Sequence, residues 1–199
     1  MTDFLYSVDV AVFLFVNRTL ANPVGDLLWP LITSYDRFLV VRLLLGAAWI
    51  LLLVRGGRRG RTVALLLIPL LVLADQASSS LLKPLFDRAR PCHTLNGVLM
   101  VPDVRLLVSC GPGKSFPSSH AVNNFAIATL FSAYYRKWWW AFGAWALLVG
   151  LSRVAVGVHY PSDVAGGAAV GALLALGVVG LWRLIERRFF PSGQGQERA

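Results

Sequence analysis

Residues Phe38 to Val54 read FLVVRLLLGAAWILLLV, seventeen positions carrying a single charge, Arg42. A helix of that length rises about 1.5 Å per residue and comes near to crossing a hydrocarbon core of about 30 Å. The run stops at Gly56-Gly57. A second apolar run opens at Thr62-Val63 and reaches about Leu82. Further runs follow at Ala121 to Tyr135, Trp138 to Val158 and Val164 to Ile185. Trp138-Trp139-Trp140 opens one of them, as aromatic residues do at a membrane–water interface. Before Phe38 the pattern is weaker. Leu5 to Leu20 is apolar but broken by Asp9 and Asn17, and reads either as a marginal span or as a helix lying in the interface. Asn22-Pro23 breaks the chain there, and Val24 to Thr33 is too short to span alone. The expected fold class is all-α, a polytopic membrane helical bundle with about six transmembrane helices.

Composition agrees. Of the 199 residues 56% are hydrophobic and 15% charged, and the mean hydropathy is +0.63. A soluble domain carries more charge than this. One domain is expected over residues 1–190, with a short polar tail, 191–199, expected to be disordered. A basic n-region is absent and Asp3 and Asp9 interrupt the first segment, so no signal peptide is predicted.

The net charge of +9 raises the question of nucleic acid. Its distribution argues against that partner, because the basic residues cluster in short loops between apolar runs. Arg55 to Arg61, Arg136-Lys137 and Arg183 to Arg188 are the three clusters. Placing the first in the cytoplasm puts all three on that side, as the positive-inside rule requires. The polar stretch 83–118 and the turn around His159 then face outward. The long stretch is itself basic, so the orientation rests on the short loops.

Three motifs fall at the outward ends of spans. The first is Lys83-Pro84-Leu85-Phe86-Asp87-Arg88-Ala89-Arg90-Pro91. Pro117-Ser118-Ser119-His120 is the second. The third is Ser152-Arg153, with His159 and Asp163 following at fixed spacing. Loop polarity, worked out without these motifs, brings them to one face. Their residue types suit a phosphate. Lys83, Arg90 and Arg153 supply point charge and bidentate forks. Ser118 to His120 open a helix, whose free N–H groups attract anions. A histidine that titrates near neutrality can attack or donate a proton. Asp163 can orient His159 through its second ring nitrogen. Each residue alone has a plainer explanation: a snorkelling anchor, a helix cap, a structural histidine. The complete spacing is what separates them from those explanations.

With its spacings intact, the constellation resembles the type-2 phosphatidic acid phosphatase superfamily, whose pattern is K-x6-RP, then PSGH, then SR-x5-H-x3-D. Every position matches except Ser119, where the family usually has glycine. The match runs from Lys83 to Asp163. The resemblance implies a six-helix membrane core and a set of roles. His159 would attack phosphorus and form a phosphohistidine, and Asp163 would hold His159. His120 would protonate the leaving oxygen and then activate water. Lys83, Arg90, Ser118, Ser119 through its backbone, and Arg153 would bind the phosphate. No metal and no cofactor are implied. The vanadate-dependent haloperoxidases use a related constellation, but in a soluble setting that these spans do not fit.

Cys92 and Cys110 are the only cysteines, and both lie in the outward stretch. A disulfide is expected, closing a loop worth roughly 3 kcal/mol by chain entropy. Asp75 and Ser79 sit at four-residue steps from Lys83, and Asp75 lies inside an apolar run, where an ionisable group is costly. Two readings stand for it: a partner to a basic group near the site, or a structural hydrogen bond between helices. Asn124 and Gly167-x3-Gly171 read as packing, and His93 has no assigned part.

The expected function is hydrolysis of a phosphorylated lipid at the outer face of a cell inner (plasma) membrane. By family resemblance undecaprenyl diphosphate is the first choice of substrate. Phosphatidylglycerophosphate, phosphatidate and lipid A 1-phosphate are the alternatives. A lipid phosphotransferase, which would pass the phosphoryl group to a second lipid, is the rival enzyme class. A transporter is the non-catalytic rival, and it would have no need of His159. The expected partners are the lipid substrate and the bilayer, and nothing in the sequence defines an oligomeric state.

Overall fold

The computed structural model describes residues 2–189, so the expected disordered tail at 191–199 lies outside the described residues. Helix α1 (Thr2–Leu14) runs into a π-helical turn at Phe15–Thr19 and is followed by α2 (Pro23–Thr33). Asn22 caps α2 by accepting from the Gly25 N–H at 2.8 Å, with Pro23 in the first turn. Next come α3 (Leu39–Arg55) and α4 (Gly57–Asp75). A π-helical stretch, Gln76–Leu82, continues α4 into the short α5 (Lys83–Phe86). The outer stretch holds one small hairpin, β1 (Thr94–Leu95) with β2 (Val98–Leu99). Three long helices complete the chain: α6 (Ser119–Tyr134), α7 (Trp139–Ala155) and α8 (Pro161–Phe189).

The α3–α4 junction differs from expectation. The basic residues Arg58, Arg59 and Arg61 lie within the first turns of α4 and not in a loop, because Gly56 and Gly57 (φ 60°) suffice to reverse the chain. Arg61 Nε then donates to the Leu53 carbonyl at 3.2 Å, satisfying the open end of α3. The three basic clusters do share one end of the bundle. Arg58 pairs with Glu186 at 3.2 Å, and Arg183 Nη2 donates to the Ala133 carbonyl at 3.4 Å.

Helix α6 is the centre, packed on α4, α7 and α8. Val63, Leu70, Val122, Ala126 and Leu130 are buried between these helices. Glycine allows the closest approach. A Cβ on Gly167 would stand 2.8 Å from the Ser118 carbonyl oxygen, and one on Gly171 would stand 2.1 Å from that of Val122. The outward surface is aliphatic, with Leu39, Leu43, Leu147, Leu173 and Leu184 all exposed. Such a surface suits hydrocarbon and not water.

Among the described residues two helices qualify by length and hydropathy as complete spans, Gly57–Phe86 and Pro161–Phe189, or three if the bent pair Phe4–Thr19 and Pro23–Thr33 counts as one. The expected number of about six is not reproduced by this measure. Helices α3, α6 and α7 have 17, 16 and 17 residues and fall short of a full hydrocarbon thickness. The N-terminal segment is the instructive case. Tyr6 OH reaches Met100 O and Tyr160 OH, each at 3.4 Å. Asn17 Nδ2 donates to the carbonyls of Arg105 (2.9 Å) and Ala155 (2.8 Å), and Asp26 pairs with Arg105 at 2.6 Å. Helices α1 and α2 meet at 116°. Their polar contacts fall at the end of the bundle that carries the three motifs, and the bend between them leaves both readings of Leu5 to Leu20 standing.

Candidate active site

Lys83 closes the long α4–α5 rod, which stops at Asp87 in the left-handed region (φ 45°). The chain then turns back through Arg88 and Arg90. Arg90 is buried, and its Nε donates to the Gly113 carbonyl at 2.7 Å. His93 braces the same loop: its Nδ1 accepts from the Arg90 N–H at 3.4 Å and its Nε2 meets Gly111 O at 2.9 Å. Cys92 and Cys110 form a disulfide with Cα atoms 6.1 Å apart. This loop, polar in sequence, is therefore held at three places around Arg90.

The second motif opens α6. Ser118 is the N-cap residue, and its N–H donates to the Asp163 carbonyl at 3.1 Å. Its hydroxyl is buried and has no partner. Ser119, the departure from the family pattern, turns its hydroxyl away to accept from Ser78 Oγ at 3.2 Å, on the π-helical stretch. His120 follows, its carbonyl accepting from Asn124 Nδ2 at 2.9 Å. Asn124 in turn accepts from Tyr35 OH at 3.1 Å, so it ties the turn before α3 to α6. Asp75 is exposed and accepts from Ser79 within its own rod, at 3.3 Å; of its two readings, the bond between helices does not form, and its charge acts on Lys83.

The third motif bridges α7 and α8. Arg153 is buried; Nη1 donates to Thr33 Oγ1 at 2.5 Å, and Nε has no partner. His159 is 2% exposed and Asp163 fully buried, with Nδ1 3.4 Å from Oδ2. Asp163 also accepts from the Tyr160 N–H at 2.8 Å, a reciprocal cap on the first turn of α8. Asp163 is not itself the N-cap residue: it lies in the first turn of α8 and caps the N–H of Tyr160, which precedes the helix. Burial pushes His159 below its ordinary value, to about 4. The Asp163 contact opposes that shift, and the charges of Arg153 and Arg90 add to it. His159 is accordingly a neutral imidazole at pH 7, with Nδ1 toward Asp163.

Electrostatics joins the motifs into one cluster. The charge of Lys83 is felt with those of Arg90 and Arg153, and His120 lies within reach of Arg153, His159 and Lys83. Seven of the eight expected catalytic and phosphate-binding residues belong to this cluster or bond directly to a member of it; Ser119 is the exception, its hydroxyl bonded to Ser78. Four more were not foreseen: Ser115, Arg88, Asp9 and Thr33. Ser115 Oγ donates to Asp163 Oδ2 at 2.5 Å and stands 3.5 Å from His159 Nδ1. Asp9 carried a signal, a carboxylate inside an apolar run that demands a partner. Among the described residues no group of three or more His, Cys, Asp or Glu is placed to hold a metal.

Comparison with known proteins shows the family. The model of the PAP2 superfamily matches residues 63–187. The lipid A 4′-phosphatase of Bacteroides thetaiotaomicron is 29% identical over 175 residues, covering 86% of this chain and 75% of that protein. Other matches to curated relatives span only about half of those proteins' lengths. The crystal structure of a transmembrane PAP2-type phosphatidylglycerolphosphate phosphatase from Bacillus subtilis superposes with a TM-score of 0.66 at 25% identity, covering 92% of this chain and 89% of that one. Aquifex aeolicus LpxE superposes with a TM-score of 0.64 at 25% identity, covering 85% and 93%. The chain belongs to the PAP2 superfamily, as a membrane lipid phosphatase.

Proposed function

We propose that this chain hydrolyses a phosphate or diphosphate at the polar end of a membrane lipid, through a phosphohistidine at His159. The observation that carries the reading is a pair of buried, unpartnered polar atoms, Ser118 Oγ and Arg153 Nε, in the same cluster as the His159–Asp163 contact. Buried donors without partners are rare, and those lying at a functional site point to a ligand. A phosphate in this cradle would accept from both, with Lys83 and Arg90 balancing its charge.

The proposed chemistry runs in two steps. Nε2 of His159 attacks the terminal phosphorus, and the bond from that phosphorus to its leaving oxygen breaks, the bridging oxygen of a diphosphate or the alcohol oxygen of a monophosphate. His120 gives its proton to that oxygen. Water then attacks the phosphohistidine while His120 takes a proton from it, and inorganic phosphate leaves with His159 restored. The lipid's hydrocarbon would lie in an apolar groove of about 830 Å³ lined by Leu5, Val8, Val12, Phe86 and Ala165. Arg88, which contacts Asp163, lines the same groove. The site is read as facing outward, because the basic loops occupy the other end of the bundle.

Undecaprenyl diphosphate is the proposed substrate, on the strength of that outward site. The long match to a lipid A 4′-phosphatase favours a second reading, the phosphate of lipid A. Phosphate release from purified protein separates them when undecaprenyl diphosphate, lipid A, phosphatidylglycerophosphate and phosphatidate are presented singly, with no acceptor lipid. Release from undecaprenyl diphosphate at a kcat/KM at least about tenfold above the others supports the first reading. Preference for lipid A replaces it with the second. Turnover that appears only on adding an acceptor lipid would make the chain a phosphotransferase.

A further inference from the structure

Asp163 is fully buried, and its two oxygens face different surroundings. Oδ2 faces His159, Ser115 and the Tyr160 N–H. Oδ1 receives Arg88 Nη1 at 2.7 Å. The other arm of that guanidinium, Nη2, reaches Asp9 Oδ2 on α1 at 2.6 Å, and its plane lies 4.0 Å over the ring of Tyr160. Asp9 is buried as well. It accepts from the Ser162 N–H at 2.9 Å and from the Ser162 hydroxyl, beside Asp163 in the first turn of α8. One guanidinium is thus clamped between two buried carboxylates that belong to the first and last helices of the chain.

We propose that Arg88 and Asp9 are positioning residues for the reaction: Asp9 holds Arg88 against Oδ1 of Asp163, and this fixes the carboxylate with Oδ2 turned to His159. The inference rests on His159 being the nucleophile and deepens that reading. Neither residue touches the phosphate. Without Arg88, Asp163 would still have Ser115, the Tyr160 N–H and His159 at Oδ2, so it stays a carboxylate; what Arg88 adds at Oδ1 is its orientation, which holds the imidazole tautomer. The 3.4 Å between Asp163 and His159 exceeds a usual N–H···O distance of about 2.9 Å, so the contact depends on how the carboxylate is held. Burial by itself would lower the Arg88 pKa. The charges of Asp163 and Asp9 more than offset it and raise the value above the ordinary one, so this guanidinium is a permanent cation.

The charged and titratable groups facing the His159–Asp163 pair are Arg88 and Arg90 from the outer loop, Arg153 from α7, His120 from α6, Tyr160, and Asp9 through Arg88. Removing the Arg88 charge leaves Asp163 undivided toward His159 and takes a cation from its neighbourhood. Both changes favour the protonated imidazole. The acid limb of the reaction therefore moves to higher pH in Arg88→Gln. In Arg88→Lys the charge stays, so the limb stays, while the rate falls because an ammonium lacks the fork that spans both carboxylates.

The test is the rate of phosphoenzyme formation against pH, by rapid quench, in the intact protein with a lipid phosphate substrate. Arg88→Gln is expected to lower the rate by about ten- to a hundredfold, with KM within about threefold and the acid limb shifted up. Asp9→Asn is expected to lower it by about three- to tenfold with the limb unmoved, and Asp9→Glu to recover part of that loss. A merely structural pair would lower the thermal midpoint, leave the Arg88→Gln limb in place and leave the Asp9→Asn rate per folded molecule at the wild-type value; that result overturns the proposal. Wild-type rates in Asp9→Asn overturn it too, and Asp9→Asn carries the test if Arg88→Gln does not fold. Activity remaining in His159→Ala would instead sink the phosphohistidine reading. A dead His159→Ala beside an unaltered Arg88→Gln would sink this inference alone.

Discussion

At His159 two demands compete. Burial makes the imidazole a poor base, with a value near 4, while the nucleophile's task proposed for it needs only the neutral form. The folded value lies below the unfolded value of about 6.5. The unfolded state therefore binds more protons between those values, so the stability contributed by the neutral ring is complete above about pH 6.5 and is lost as pH falls toward 4. The same argument sets the kinetics. Phosphoenzyme formation should keep its His159-dependent rate down to about pH 4 to 5, measured with a substrate that stays ionised over that range. A limb centred near 6.5 would mean that His159 is solvated. Substitution separates the two histidines. His159→Ala should abolish turnover, since nothing replaces the bond to phosphorus. His120→Ala should lose about 10²–10⁴-fold with an alkyl leaving group, and much less with one of low pKa. Trapped, acid-labile phosphoenzyme should accumulate in His120→Ala, and label mapping to residue 120 would reverse the roles.

Among the elements, α6 and α8 carry the site, and glycine decides how closely they meet. Ser118 Oγ and the first turn of α8 are brought together only because Gly167 and Gly171 put backbone against backbone. In Gly171→Leu the new Cβ would start 2.1 Å from the Val122 carbonyl oxygen, which is backbone and cannot swing aside. The variant should lose about 1–3 kcal/mol or more of stability, read as a fall in thermal midpoint in detergent. Gly177→Leu, where a Cβ meets nothing within 4 Å, serves as the tolerant control. The π-helical stretch has a second effect. It presents Ser78 to Ser119, so the hydroxyl that replaces the family's glycine is bonded away from the cradle. Ser119→Gly should accordingly keep phosphate release within about threefold of wild type. A larger gain or loss would place that hydroxyl in contact with substrate.

For the whole molecule the arrangement is a bundle with its polar business at one end. Helices α1 and α2 make their polar contacts at that end, and the disulfide-braced loop surrounds Arg90. Replacing Cys92 and Cys110 together with serine should cost roughly 3 kcal/mol of stability and lower kcat/KM, because Arg90 takes its place from the loop the disulfide closes. A double variant with unchanged thermal midpoint and activity would show the brace to be idle. Phosphate release is also expected to continue in excess EDTA, since the donors around His159 are cations and hydroxyls and no acidic or histidine cluster stands by to hold a divalent ion. Loss on chelation, restored by a divalent ion, would contradict that expectation.

Much of this was legible without coordinates. Apolar runs of seventeen or more residues can be satisfied only as helices in hydrocarbon, so Phe38 to Val54 and its fellows determined an all-helical membrane fold. The charge spacing from Lys83 to Asp163 marked the cradle, because a phosphate needs several donors and the motif positions place them at span ends. The basic clusters marked the opposite end. Helix boundaries and the α3–α4 turn were less legible, since Gly56-Gly57 and the arginines after them fit a loop and a helix start equally well. Only the tertiary structure decided that α1 makes its polar contacts at the site end and that Asp9 reaches Arg88, Ser162 and, through Arg88, Asp163. Those partners are up to 153 residues apart. Pairings of that kind depend on how helices pack, which no local pattern of hydropathy or charge encodes. A carboxylate in an apolar run announces that it must have a partner; the fold alone determines which one.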